Sequence, residues 1–157
     1  DVGALGSVHT LDVSQCPNVS DVSALGAVHT LNLSYCRKIL DVSTLHNVHT
    51  LNLSGCTDIS DVSALRSVHT LKLSSCPNIS DVSALGKVHT LNLRYNGISD
   101  VGALGSVHTL DVSQCPNISD VSALGNVHTL NLTRCNVSDV SALGNVHTLL
   151  HKPVYRK

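Results

Sequence analysis

One twenty-residue segment, DVGALGSVHTLDVSQCPNVS, opens the chain at positions 1–20 and returns at 100–119 with only Val19 replaced, by Ile118. Variants of it fill the rest, starting at Asp1, Asp21, Asp41, Asp61, Asp81, Asp100, Asp120 and Asp139. A fixed short period constrains the fold more than composition does. One such unit cannot bury its own apolar face, so the units must stack as turns of a solenoid. The expected organisation is one array over 1–157. Its units are 1–20, 21–40, 41–60, 61–80, 81–99, 100–119, 120–138 and an incomplete 139–157. The chain lacks Met and starts inside a repeat, so it reads as a fragment, a processed product or a piece of a longer array.

The unit at 81–99, DVSALGKVHTLNLRYNGIS, shows what each position does. Apolar residues fall at Val82, Leu85, Val88, Leu91, Leu93 and Ile98. The step of two from Leu91 to Leu93 marks a strand, because alternate side chains share a face. The steps of three before it suit a 3₁₀-like or extended return path and miss the 3.6-residue period of an α-helix. Glycine at Gly6, Gly26, Gly86, Gly105, Gly125 and Gly144 also disfavours helix there. Strands centred on Leu11, Leu31, Leu51, Leu71, Leu91, Leu110, Leu130 and Leu149 are predicted to pair in parallel.

The pattern V-x-x-L-x-L-x-x-C-x-x-I, as in Val48, Leu51, Leu53, Cys56 and Ile59, resembles the leucine-rich repeat superfamily. The D-V-S-x-L segment is similar to the return segment of internalin-type repeats, and Cys-x-x-Ile to cysteine-containing repeats. That resemblance implies a right-handed solenoid, α/β by family but here nearly all-β. It has one parallel sheet and a non-helical convex side. It also implies a non-enzymatic scaffold that binds a protein partner through the concave sheet face. Two units run to nineteen residues, each one residue short in the turn after the strand, at Asn96-Gly97-Ile98 and Cys135-Asn136-Val137.

Three residue ladders follow from the repeat. Cys16, Cys36, Cys56, Cys76, Cys115 and Cys135 share one position, taken by Asn96 in the fifth unit. The resemblance implies that this residue points inward and bonds backbone groups of the turn. Neighbouring turns about 4.8 Å apart are too widely set for the ~3.8 Å Cβ separation of a disulfide, so free structural thiols are expected. His9, His29, His49, His69, His89, His108, His128 and His147 form the second ladder. A metal stripe or pH sensor is conceivable; stacked neutral imidazoles bonded to loop backbone are the simpler expectation. The Asp residues that open each unit form the third. They precede V-S-x-L or V-G-A-L, where a side-chain oxygen can cap backbone N–H groups.

Ten Lys plus Arg against eleven Asp leaves a net charge of −1, which argues against nucleic acid as a partner. No apolar run reaches the length of a membrane span. No catalytic constellation stands out, because every Ser, His and Asp recurs in equivalent siblings, whereas a triad needs one asymmetric placement. Neither a cofactor nor a metal site is expected. Sequons occur at Asn18, Asn32, Asn52, Asn78, Asn117, Asn131 and Asn136, with the turn sites Asn18, Asn78 and Asn117 the better glycan acceptors. Sequons fit a secreted protein and buried thiols fit the cytoplasm, so the compartment stays open.

Function is sought where the units differ from one another. On the concave face these departures are Lys72, Arg94 and Tyr95 on consecutive turns, with Tyr35 and Arg134 along the same rim. Tyr and Arg are enriched in binding hot spots. Arg66 and Lys87 on the loop side are the fallback. The rival expectation is a structural segment of a fibre or surface array whose copies stack end to end.

Overall fold

The computed structural model describes residues 2–152. The Asp1 position and the terminal Pro153, Arg156 and Lys157 lie outside the described residues. Eight strands form one parallel sheet in chain order. They are β1 Thr10–Asp12, β2 Thr30–Asn32, β3 Thr50–Asn52, β4 Thr70–Lys72, β5 Thr90–Asn92, β6 Thr109–Asp111, β7 Thr129–Asn131 and β8 Thr148–Leu150. Each lies on its predicted leucine. Register is strict: Thr pairs with Thr and Leu with Leu at every step, as in Leu51↔Leu71 and Leu91↔Leu110. The nineteen-residue units keep this register, so the missing residue is absorbed in the turn.

Between strands the chain runs through short 3₁₀ segments, from Gly3–Leu5 to Ser141–Leu143. The apolar step of three sets them. Leu25 N–H donates to Val22 O at 2.9 Å and Val28 N–H to Leu25 O at 3.1 Å, so each apolar residue closes a turn on the one before. Three consecutive segments are longer: Ser43–Asn47, Ser63–Ser67 and Ser83–Lys87.

One continuous core runs through the stack. In the third unit Val42, Leu45, Val48, Leu51, Leu53, Cys56 and Ile59 are all buried, and the second to seventh units repeat the set, with Asn96 in the cysteine place of the fifth; the two end units are only partly buried. Outside Ser34, Asn96 and Ser113, every buried residue in the described chain is apolar or Cys. Among the described residues no helix is long and apolar enough to cross a membrane.

Candidate functional site

The sheet face is built from three outward columns. The first is the Thr that opens each strand. The second is Asp12, Asn32, Asn52, Lys72, Asn92, Asp111 and Asn131. The third is Ser14, Ser34, Ser54, Ser74, Arg94, Ser113 and Thr133. The second column looks merely variable in sequence, but the structure gives it a task. Its Oδ1 accepts the N–H two residues on, as from Ser34 to Asn32 at 3.1 Å and from Ser113 to Asp111 at 2.9 Å. This is the Asx turn that ends the strand. Asp12, Asn52, Asn92 and Asn131 make the same bond. Lys72 cannot, having no acceptor. It stands exposed on β4, with Asn92 as its register partner.

Arg94 and Tyr95 lie one turn beyond. The Arg94 guanidinium sits 5.2 Å from the centroid of the Tyr95 ring, and its Nε is 3.8 Å from Asp111 Oδ2. Asp111 and Tyr95 thus hold the arginine across the fifth and sixth turns. The Ser113 hydroxyl is buried beside this cluster without a hydrogen-bond partner. Lys72, Arg94 and Tyr95 therefore occupy neighbouring turns, as their sequence positions predict. Tyr35 and Arg134 belong to the same rim but sit apart from that patch, three turns before and two turns after Tyr95.

The rim has a property that sequence reasoning missed. Gln15, Tyr35, Ser75, Tyr95, Gln114 and Arg134 all hold positive φ, between 58° and 63°, and Gly55 holds 74°. Such backbone is uncommon for residues other than Gly, Asn and Asp. The one glycine in this column was the available signal. Gly55 is further required because Tyr35 lies across it: a Cβ there would fall 2.5 Å from the ring.

The ladders are present, one with a corrected partner. Seven successive pairs of imidazole rings stack from His9 to His147 with centroids 4.6–4.7 Å apart. Their Nδ1 atoms do not meet loop backbone. From His9 to His128 they lie 3.2–3.3 Å from the Oγ1 of the next Thr, as in His49 with Thr50 and His89 with Thr90. The reason is local: the hydroxyl belongs to the next residue in the chain, within hydrogen-bond reach of the ring. Among the described residues no three metal-ligating side chains converge on one point.

All six cysteines are free thiols. Each sulfur from Cys36 onward donates to the strand-end carbonyl of the preceding turn, as Cys56 does to Leu33 O at 3.2 Å. Burial pushes the thiol of Cys56 up to about 12 and those of Cys76 and Cys135 up to about 11. These are inert structural groups rather than nucleophiles. The Asp ladder caps as expected, for example Ser63 N–H to Asp61 Oδ1 at 2.8 Å. The N–H and then the hydroxyl of the capped serine hold Asp41, Asp61, Asp81, Asp120 and Asp139 below the usual carboxylate range.

At the predicted glycan acceptors the amide groups are engaged. Asn78 Nδ2 donates to Thr57 O at 2.8 Å and Asn117 Nδ2 to Gly97 O at 2.9 Å, while Asn18 Oδ1 accepts from Lys38 at 3.3 Å. A glycan on Asn78 or Asn117 would occupy the nitrogen that makes this bond.

Acid acts on the ladders with a definite sign. Loss of water around the stacked ring, and then the charges of His108 and His69, hold His89 below its usual value. A depressed histidine contributes stability that is present above the unfolded value of about 6.5 and is lost as pH falls below it. The lowered Asp caps act in the next window, contributing above about 3.9 and losing this as pH falls through their folded values. The urea midpoint is therefore expected to fall between pH 7.5 and 5.5, before any cap titrates. A midpoint flat across that interval would refute the depressed value of His89.

A family model described as Leucine Rich repeat matches residues 44–66 and 87–105. No curated protein matches the chain in sequence. Among solved structures the chain is similar to an internalin, InlF, from Listeria monocytogenes strain 4b F2365. The TM-score is 0.62 at 20% identity, covering 98% of this chain and 58% of that one. It is similar to the functional domain of InlJ from Listeria monocytogenes, which includes a cysteine ladder. There the TM-score is 0.61 at 21% identity, over 97% of this chain and 41% of that one. A plant peptide hormone receptor, RGFR1, in complex with RGF2, gives a TM-score of 0.55 at 16% identity, over 96% of this chain and 32% of that one. The chain thus spans little more than half the InlF structure, and the architecture is that of a leucine-rich-repeat solenoid.

Proposed function

We propose that this leucine-rich-repeat solenoid is a non-enzymatic scaffold that recognises a protein partner through its sheet face, centred on Lys72, Arg94 and Tyr95. The observation that carries it is the broken Asx turn at Lys72. Six of the seven strands from β1 to β7 end on an Asp or Asn that caps the chain two residues on. The fourth gives up that bond to present a cation in the middle of the face. A net backbone hydrogen bond is worth about 0.5–1.5 kcal/mol, so the substitution is a cost to the fold. Next to it Arg94 is held over Tyr95 and beside Asp111, which limits the entropy lost when a partner docks on the pair. The likeness to a receptor solved with a peptide hormone is consistent with this, at the level of fold.

The experiment follows from the trade. Lys72→Asn restores the cap and is expected to raise stability by about 1 kcal/mol, read as a higher urea midpoint. The same variant is expected to weaken a bound protein partner, as is the triple Ala variant of Lys72, Arg94 and Tyr95. A triple variant that keeps full affinity would move the site off this face. Tyr35 and Arg134 extend the surface along the rim for a longer partner.

A further inference from the structure

A second charged surface lies off the sheet face, at the corner where the 3₁₀ segments turn into the strands. The three long 3₁₀ segments occur on consecutive turns, and each carries a basic residue in its last turn: His46, Arg66 and Lys87. Other units carry Gly, Ala, Ser or Asn at those positions. Two or three residues further on, each unit adds an exposed imidazole, His49, His69 and His89, stacked at 4.6 Å. The runs 43–50, 63–70 and 83–90 contain no carboxylate. The nearest ones, Asp41, Asp61 and Asp81, have Oδ1 committed to the N–H groups of Ser43, Ser63 and Ser83.

Arg66 and Lys87 flank one groove of about 490 Å³, floored by Ser83, Gly86 and Ser106. Among the described residues no ion pair involves either cation; Arg94 with Asp111 is the pair present. His46 turns its Nδ1 to Ser43 O at 2.9 Å, leaving Nε2 outward. This corner thus gathers unpaired cations and titratable bases on three adjacent turns, in a chain whose net charge is −1.

We propose that this corner is a second interaction surface, independent of the sheet face, and that it seats an acidic segment of a polypeptide partner. Charge complementarity selects the sign of the ligand. The scale of the site selects its class. Two permanent cations on a chain of near-neutral net charge suit a few carboxylates. They do not suit a polyelectrolyte, whose binding draws on many phosphate or sulfate contacts. The exposed Ser106 hydroxyl in the groove supplies a hydrogen-bond donor to those carboxylates.

The test uses fluorescein-labelled octaglutamate, titrated with the whole chain at pH 7.5 in 50 mM and 200 mM salt. The expected result is binding that is weaker at the higher salt. The double variant Arg66→Ser, Lys87→Ser is expected to lose about tenfold or more. The triple Ala variant of Lys72, Arg94 and Tyr95 is expected to bind the probe like the parent, which separates this surface from the sheet face. Equal binding by the Arg66, Lys87 double variant, or equal affinity at both salt concentrations, would overturn the proposal. So would stronger binding of a heparin octasaccharide than of octaglutamate, which would assign the site to a polyanion instead.

Discussion

Replacing Leu51 by Ala is expected to cost the fold about 2–5 kcal/mol, the range for truncating a fully buried leucine. Leu51 is entirely buried and sits between Leu31 and Leu71 in the strand register. The cavity would open in mid-stack, where both neighbouring turns are held by backbone hydrogen bonds and cannot collapse into it. Thr50→Ala removes a side chain from the outer face. It loses only the contact with His49 Nδ1 and is expected to change stability by about 0.5 kcal/mol. Equilibrium urea unfolding of the two variants is the measurement. Similar losses in both would mean that the inward and outward faces have been exchanged, the consequence of a one-residue slip.

A comparable loss is expected at Asn96, by a different route. Asn96 is buried within the cysteine ladder. Its Oδ1 accepts the Cys76 N–H at 2.8 Å, and its Nδ2 donates to Leu73 O at 2.8 Å and Leu93 O at 2.9 Å. Asn96→Ala leaves two buried backbone groups unserved, the Cys76 N–H and Leu73 O, while Leu93 O keeps the Cys115 thiol. At about 1–3 kcal/mol for each unsatisfied group, a loss of 2–5 kcal/mol is expected after partial relaxation. Asn96→Cys should recover most of it. In other units the thiol serves the strand-end carbonyl of the preceding turn, and the Cys N–H turns back to its own strand, as Cys56 N–H does to Leu53 O. Equal losses in the Ala and Cys variants would show that the amide works by size rather than by hydrogen bonding.

The fold was legible because each unit states the same pattern, and errors in one unit are corrected by seven others. The steps of three became 3₁₀ turns closing on Val22 and Leu25, and the step of two became the strand. What sequence could not reveal was which outward polar positions serve the backbone. Asn32 and Asn92 look like free surface residues, yet each ends its strand by accepting an N–H. That bond depends on a turn whose geometry the apolar pattern does not encode. The positive φ of Tyr35 and Tyr95 was hidden for the same reason. Side-chain identity gives little warning when tertiary packing imposes a left-handed turn, and Gly55 alone betrayed the column. Lys72, Arg94 and Tyr95 were legible as departures from the template. The clamp of Asp111 and Tyr95 on Arg94 was not, because it joins two turns. The charged corner at His46, Arg66 and Lys87 was also hard to see, since its members occupy slightly different places in their units and only stacking aligns them.

Strict register has a consequence for how such a chain changes length. Thr meets Thr, Leu meets Leu and imidazole meets imidazole at every step, so these columns match no turn to one particular neighbour; Tyr35 over Gly55 and Arg94 beside Asp111 are neighbour-specific pairs outside them. Deleting residues 21–40 would bring His9 against His49 and Leu11 against Leu51 with every column unbroken. Duplication would do the same in the other direction. Recombination between near-identical repeats, such as 1–20 and 100–119, can therefore lengthen or shorten the protein in whole turns, each about 4.7 Å. Every product of such an exchange inherits a complete core. What it does not inherit is the order of the exceptions. Lys72, Arg94 and the basic corner exist once each, so a gain or loss of turns on either side slides them along the array without dissolving them.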